Sequence, residues 1–586
     1  MALPPARAAE AATGSARWRG IMRATRLSRG TWFLLLLLAA FFGAFLIYPL
    51  GFMLRRAFWV EGRFTLEYFG LILASPLERE AIGNSLLIAT GTTLAASLLA
   101  LPLALLLTRV RFRGQGLLGG LLLVPMIMPP FVGAIGMRQL LARFGSVNLL
   151  LMDWGLLPPD RPIDWLGQGG FWGIIILQTL SLYPILFLNL SAAMANVDPS
   201  LREAARNLGA RGWRLFRTVT LPLILPGWFA GASIVFIWSF TDLGTPLIFG
   251  FSRVVPVRIF DSISELNTNP SGYALVMLVL LMTAVIFLLT KRLFAVRRHE
   301  MMSRGHTGDG EHRATTRQTV LIWLGVGAVL ALALLPHVAV VAQSFSERWF
   351  FTVLPGRWTL ENYAEIAGGG AGVSIRNSLL YASLSASVDL VLGVAIAWLL
   401  TRRRIPGAAL LDTLAMLPLA LPGLVLAFGY VAGFDFDLAW LNPRRNPTLL
   451  LVVSYSVRRL PYIVRAAYAG FQQTSVTLEE ASAGLGASPW RTLRRITVPL
   501  VFANLAAGTV LTFAYAMLEV SDSLILAMQE RYFPITKKIY ELMGKIEPSA
   551  PSVACALGVV GMVILAGSLL LVSRVLGRRM GQLFRM

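Results

Sequence analysis

Ser200-Leu201-Arg202-Glu203-Ala204-Ala205-Arg206-Asn207-Leu208-Gly209 returns 277 positions later as Thr477-Leu478-Glu479-Glu480-Ala481-Ser482-Ala483-Gly484-Leu485-Gly486. Both stretches run through a tryptophan, Trp213 or Trp490, to Val219-Thr220-Leu221-Pro222 or Ile496-Thr497-Val498-Pro499. Glycine follows the shared glutamate by six residues and proline follows it by 19. Ser200 with Glu203, and Thr477 with Glu480, have the spacing of a capping box that starts a short helix. Gly209 and Gly486 stand where a glycine ends one, and Ser488-Pro489 caps and opens the next helix of the second copy. The pattern predicts a helix, a glycine turn and a second, basic helix leading through proline into an apolar run.

The duplication extends outward from this pair. Arg63-Phe64-Thr65-Leu66-Glu67-Tyr68 recurs as Arg357-Trp358-Thr359-Leu360-Glu361-Asn362, and Asn84-Ser85-Leu86-Leu87 as Asn377-Ser378-Leu379-Leu380. Thr108-Arg109 matches Thr401-Arg402, and Pro125 with Pro129 matches Pro418 with Pro422; the first of these four matches stands at an offset of 294 and the others at 293. Pro184 and Pro461 already stand 277 apart, so the first half holds 16 extra residues between its third and fourth apolar runs. These include Asp153-Trp154 and Pro158-Pro159-Asp160.

Composition identifies the runs. Hydrophobic residues make up 56% of the 586 and charged residues 14%, against roughly 25% charged in a soluble domain, and mean hydropathy is +0.67. Apolar stretches fall near 32–50, 84–107, 117–140, 170–193, 222–247 and 273–290, then 319–342, 378–400, 408–431, 448–470, 500–527 and 550–573. Each is near the roughly 20 residues that cross a bilayer. A secreted, disordered or fibrous chain is excluded. The expected fold is an all-α polytopic membrane protein whose 12 transmembrane helices form two tandem, parallel six-helix repeats.

The formal charge of +22 fits nucleic-acid binding only if the basic residues share an aromatic-interleaved face, and here they flank apolar runs. Arg109, Arg111 and Arg113 follow the second run, Lys291, Arg292, Arg297 and Arg298 the sixth, Arg402 to Arg404 the eighth, and Arg574, Arg578 and Arg579 the twelfth. The positive-inside rule then puts both termini in the cytoplasm. The expected division is a cytoplasmic tail at 1–31, a first helix and periplasmic loop at 32–80 and a first transmembrane domain at 81–291. A flexible cytoplasmic linker at 292–318 and a seventh helix with its loop at 319–373 follow. A second transmembrane domain at 374–573 and a cytoplasmic tail at 574–586 complete the chain. His299, His306 and His312 in the linker have spacings that fit no chelating motif. The lone Cys555 excludes an intrachain disulfide and reads as a small core residue.

Two copies of Glu-Ala-Ala (Ser in the second), then glycine, an aliphatic residue and proline at this spacing resemble the EAA loop of type I ATP-binding-cassette importer permeases. The resemblance implies that Glu203, Ala204, Ala205 and Gly209, and Glu480, Ala481, Ser482 and Gly486, form coupling helices that dock on an ATPase. It implies two ATPase subunits, a periplasmic solute-binding protein and the lipid of a bacterial inner membrane as partners, and no nucleic acid. The chain has no G-x-x-x-x-G-K-[ST], and its only Gly-Lys pair, Gly544-Lys545, precedes Ile546. The chain is therefore read as no enzyme and as holding no cofactor, with ATP bound by the partner. A secondary transporter is the competing class, and it needs no paired coupling loops.

The tandem fusion is similar to permeases for ferric iron and less closely to those for 2-aminoethylphosphonate or thiamine, whereas polyamine, a further alternative within the class, is usually served by two separate chains. Arg458-Arg459-Leu460-Pro461 and Phe240-Thr241-Asp242-Leu243-Gly244-Thr245-Pro246 resemble the ferric iron group. Charges inside apolar runs are expensive and mark functional positions, so Asp242, Glu519, Arg458 and Arg459 are candidate path residues, with no metal site assigned. Asp242 and Glu519 match at the 277 offset. Lying about 20 residues, hence about 30 Å, beyond Pro222 and Pro499, they are expected near the outer mouth. Carboxylates there suit a hard cation, arginines suit an anion, and an Arg–carboxylate pair that stiffens the bundle is the third reading. His337 reads as a packed or pore-facing polar residue.

Overall fold

The computed structural model describes residues 28–60, 62–167, 169–266, 269–295, 312–403 and 405–576. Residues 1–27 and 577–586 of the expected tails, His299, His306 and most of the linker lie outside them. Helix α1 (Arg29–Phe58) contains a π-helical turn, Gly43–Ile47, and α2 (Pro76–Arg109) follows. The third apolar run breaks into α3 (Gln115–Leu121) and α4 (Pro130–Leu141). Then come α5 (Phe171–Ala195), the short α6 (Pro199–Asn207), α7 (Gly212–Phe240) and α8 (Ser271–Ala295). The second half repeats the order with α9 (Thr316–Ser344), α10 (Gly370–Arg402), α11 (Ala408–Met416) and α12 (Gly423–Gly433). It ends with α13 (Thr448–Gln473), the short α14 (Val476–Gly484), α15 (Pro489–Met517) and α16 (Ala550–Leu576).

Eight of these helices are long and apolar enough to cross a membrane, ten if each bent pair is one crossing. The expected twelve exceeds this count for physical reasons. The described apolar part of α8, Ser271–Ile286, is short, and α13 carries Arg458, Arg459 and Arg465. The bends come from proline, which lacks the N–H that a helix interior needs and restricts the residue before it. Pro418 and Pro422 separate α11 from α12, turning the chain by 101°.

Within each half, three helices pack together: α2, α5 and α7 in the first, and α10, α13 and α15 in the second. Other contacts cross between the halves. The first helix of each half lies against the other half, α1 on α12 and α9 on α4. Tyr48 Oη donates to the Gly433 carbonyl at 2.8 Å, and Tyr430 Oη donates to that of Phe45 at 2.7 Å. Between α4 and α9 the fit is closer. A methyl group on Gly136 would stand 2.3 Å from the Pro336 carbonyl oxygen, so only glycine lets these backbones meet. One hydrophobic core, from Leu38 through Val340 to Leu565, unites the halves.

Gly136→Ala is expected to push α9 off α4 and destabilise the purified protein by about 1 to 3 kcal/mol. Thermal unfolding in detergent measures this, and an unchanged midpoint would refute the close approach.

Candidate functional site

The two halves enclose a cavity of about 170 Å³. Met126, Gln178, Ser181 and Asp242 line it from the first half, and Arg458, Arg459, Tyr515 and Glu519 from the second. The structure thus brings all four candidate path residues to one cavity. Glu519, 5% exposed, accepts from both Arg458 and Arg459. Arg458 also approaches Asp522 at 3.4 Å, and the Ser454 hydroxyl donates to Asp522 at 2.7 Å. The Arg459 guanidinium lies 5.6 Å from the Tyr515 ring centre. Gly423, just past the Pro422 break, leaves room for this group, since a methyl there would fall 2.1 Å from Arg458 Nη1.

Asp242 differs from its counterpart Glu519. It accepts from the Gln178 amide at 2.9 Å and from the Gly244 N–H at 3.1 Å, and no described cation pairs with it. Gln178 is fixed in turn because its Oε1 accepts from Thr92 and Ser239. Of the two matched carboxylates, one is therefore held by neutral donors and the other by two arginines, the Arg–carboxylate pair of the third reading. Each stands two residues past the end of its helix, α7 or α15. Glu519 meets α13 at Arg459, eleven residues from Thr448 and fourteen from Gln473, which is about 16 and 21 Å along the helix.

Asp522 and Asp389 were not among the sequence candidates. Both are fully buried, and Asp389 accepts from Ser456. The rule that flagged the arginines, a charge inside an apolar run, would have found them. His337 is partly buried in α9 and does not line this cavity. Among the described residues, no three His, Cys, Asp or Glu side chains gather as a metal cage.

The paired loops form as helix, glycine turn and helix, but with a different start. Asp198 caps α6 by accepting from the Ser200 N–H at 2.9 Å, and Ser475 caps α14 by accepting from the Thr477 N–H at 3.3 Å. Both helices begin two residues before the expected capping boxes, because an oxygen-bearing cap precedes Pro199 and Val476 directly. Glu203 and Glu480 consequently lie in the second turn, beyond reach of the cap N–H. The Ser200 N–H, with its hydroxyl, holds the Asp198 carboxyl below the usual range. The ends are as expected. Gly209 and Gly486 have φ of +85° and +81°. Ala210 N–H donates to Ala205 and Gly209 N–H to Arg206, with Ala487 to Ser482 and Gly486 to Ala483 in the second copy, a Schellman turn in both. Ser488 caps the next helix by accepting from the Arg491 N–H at 3.3 Å.

Of the docking candidates, Glu203, Ala204, Gly209, Glu480, Ala481 and Gly486 are exposed and Ala205 is half-buried. Ser482 is buried, its hydroxyl 2.8 Å from that of Thr492. Two apolar pairs were missed. Leu208 and Leu485 are 89% and 90% exposed, and Trp213 and Trp490 are 71% and 70% exposed. The rest of the chain leaves these apolar side chains uncovered at matched positions, which is the character of a contact surface, and their recurrence at the 277 offset was the available signal.

Residues 85–298 and 389–582 each match the family of binding-protein-dependent transport system inner membrane components. The chain belongs to that family, carries its domain twice and is a multi-pass inner-membrane permease of the ABC importer type. A putative ferric transport system permease protein of Haemophilus influenzae is 29% identical over 503 residues, covering 84% of this chain and 77% of its own. The ferric transport system permease protein of Actinobacillus pleuropneumoniae is 28% identical over 543 residues, covering 91% and 76%. A molybdenum transport system permease protein of Haemophilus influenzae is 27% identical over 239 residues, 40% of this chain and 100% of that one.

Glu519→Gln leaves the buried Arg459 guanidinium without its counter-charge and Arg458 with Asp522 alone, and is expected to cost about 3 to 5 kcal/mol of stability. Asp242→Asn keeps neutral partners and should change stability by about 1 kcal/mol or less. Denaturant unfolding of both variants checks the contrast, and equal losses would refute it.

Proposed function

We propose that the chain is the translocating subunit of an ABC importer for ferric iron, supplied by a periplasmic binding protein and driven by two separate ATPase subunits that bind and hydrolyse ATP. Twelve crossings in two parallel sets of six, with both termini in the cytoplasm, put α6 and α14 on the ATPase side and the cavity on the path. The observation that carries the reading is the joining of two coupling loops, each with matched exposed leucine and tryptophan, to one charged cavity between the halves.

Ferric iron is favoured over an oxyanion by two considerations. The ferric relatives align across both halves, whereas the molybdenum relative spans one. Both cavity arginines are engaged by Glu519, which leaves Asp242 as the charged group without a counter-ion. A hard cation prefers oxygen ligands, and a single carboxylate with neutral neighbours receives it without the closed shell that would trap it.

Two outcomes are expected. Asp242→Asn should lower uptake of radioactive ferric iron about tenfold or more, while the variant inserts normally and molybdate uptake is unaffected. Intact iron uptake in a gene deletion would overturn the substrate. Reporters fused within 312–318 and within 153–162 should read cytoplasmic and periplasmic respectively, and finding both on one side would overturn the six-plus-six arrangement.

A further inference from the structure

The two halves put the same arginine in the same place and give it opposite neighbours. Arg109 closes α2 and Arg402 closes α10. In the second half Arg402 is almost enclosed, and its Nε donates to Glu479 Oε1 at 3.0 Å. The same carboxylate oxygen accepts from Thr497 Oγ1 at 3.2 Å, while Arg402 reaches the carbonyls of Phe471 and Thr474 at 2.9 Å. Glu479 thereby ties α14 to the end of α10 and to the root of α15.

At the position of Glu479 the first half has Arg202. Arg109 donates directly to Thr220 Oγ1 at 2.9 Å, the counterpart of Thr497. The charges of Arg202 and Arg206 lie close enough to oppose that of Arg109. Neither has an ion-pair partner among the described residues, and Glu203, the only acid in α6, is exposed. Three guanidiniums gathered at one helix repel one another unless counter-charge arrives. The apolar contacts offered by the two loops are matched, so charge is what distinguishes them.

We propose that the carboxylate missing from the first half is supplied in trans: an acidic side chain of the ATPase docking on α6 occupies, among Arg109, Arg202 and Thr220, the place that Glu479 occupies in the second half. The inference rests on the permease reading above. It makes the coupling loops unequal, since α14 is tied to the bundle before the partner arrives and α6 becomes tied only on docking. Salt weakens an exposed charge contact of this kind, so docking at α6 should be the salt-sensitive half of the assembly.

The test measures binding of the cognate ATPase to the full permease in nanodiscs as salt is raised. Arg202→Ala with Arg206→Ala should weaken binding about tenfold at low salt and flatten the salt dependence. Arg202→Lys with Arg206→Lys, which keeps both charges, should retain wild-type binding and guards against a loss of folding. Failure of the wild-type permease to bind any ATPase would overturn the permease reading. Binding that is normal in the alanine variant, with an unchanged salt slope, would overturn this inference alone. Loss of co-purifying anionic lipid from that variant with ATPase affinity intact would also overturn it, assigning the cluster to the membrane surface.

Discussion

Two guanidiniums on one carboxylate, at the centre of the protein, set the terms for what surrounds them. Burying a charge costs several kcal/mol per ion unless geometry and further hydrogen bonds repay it. The surroundings of Glu519 meet that demand. Arg458 and Arg459 reach it from α13, Tyr515 offers its ring face to Arg459, and Gly423 leaves open the volume that Arg458 fills. The break at Pro422 has a place in this arrangement, because it brings the start of α12 against the guanidinium. The first half, with Ser181 and Leu182 at the matching positions, has no such cluster and holds its carboxylate with an amide and a backbone N–H.

Much of this was legible before any coordinates. The duplication was readable because proline breaks and glycine turns recur at fixed offsets, and a left-handed backbone at Gly209 and Gly486 restricts those positions to residues that tolerate it. The intramembrane charges were readable because few residues are so costly there. What failed was local and quantitative. Ser200 and Thr477 are sound capping residues by composition, yet Asp198 and Ser475 stand earlier and are equally able, and nothing in the spacing chooses between them. A count along one helix likewise cannot register that Glu519 meets the middle of α13. The ion pair itself was read only as one of three possibilities, since sequence separation conceals which acid an arginine meets.

Duplicated halves diverge where their duties differ. The exposed leucine and tryptophan and the glycine turns are alike in both loops, while the charges at 202 and 479 are opposite in sign. The cavity follows the same rule, with matched carboxylates in unlike settings. A duplicated scaffold thus encloses an asymmetric cavity, and a fused chain allows this because each half is always paired with the other.

The crossed first helices carry a consequence for how the protein is made. Tyr48 and Gly433, hydrogen-bonded in the finished molecule, lie 385 residues apart, an interval the ribosome covers in roughly 20 to 80 s. Through that time α1 is in the bilayer without α12, and α4 likewise waits for α9. Lipid must cover these faces in the interim, and neither half can reach its final packing while the other is unfinished. The nascent chain therefore matures as one interlocked object, and a ribosome stalled within the second half leaves behind an amino-terminal fragment that cellular proteases have reason to recognise.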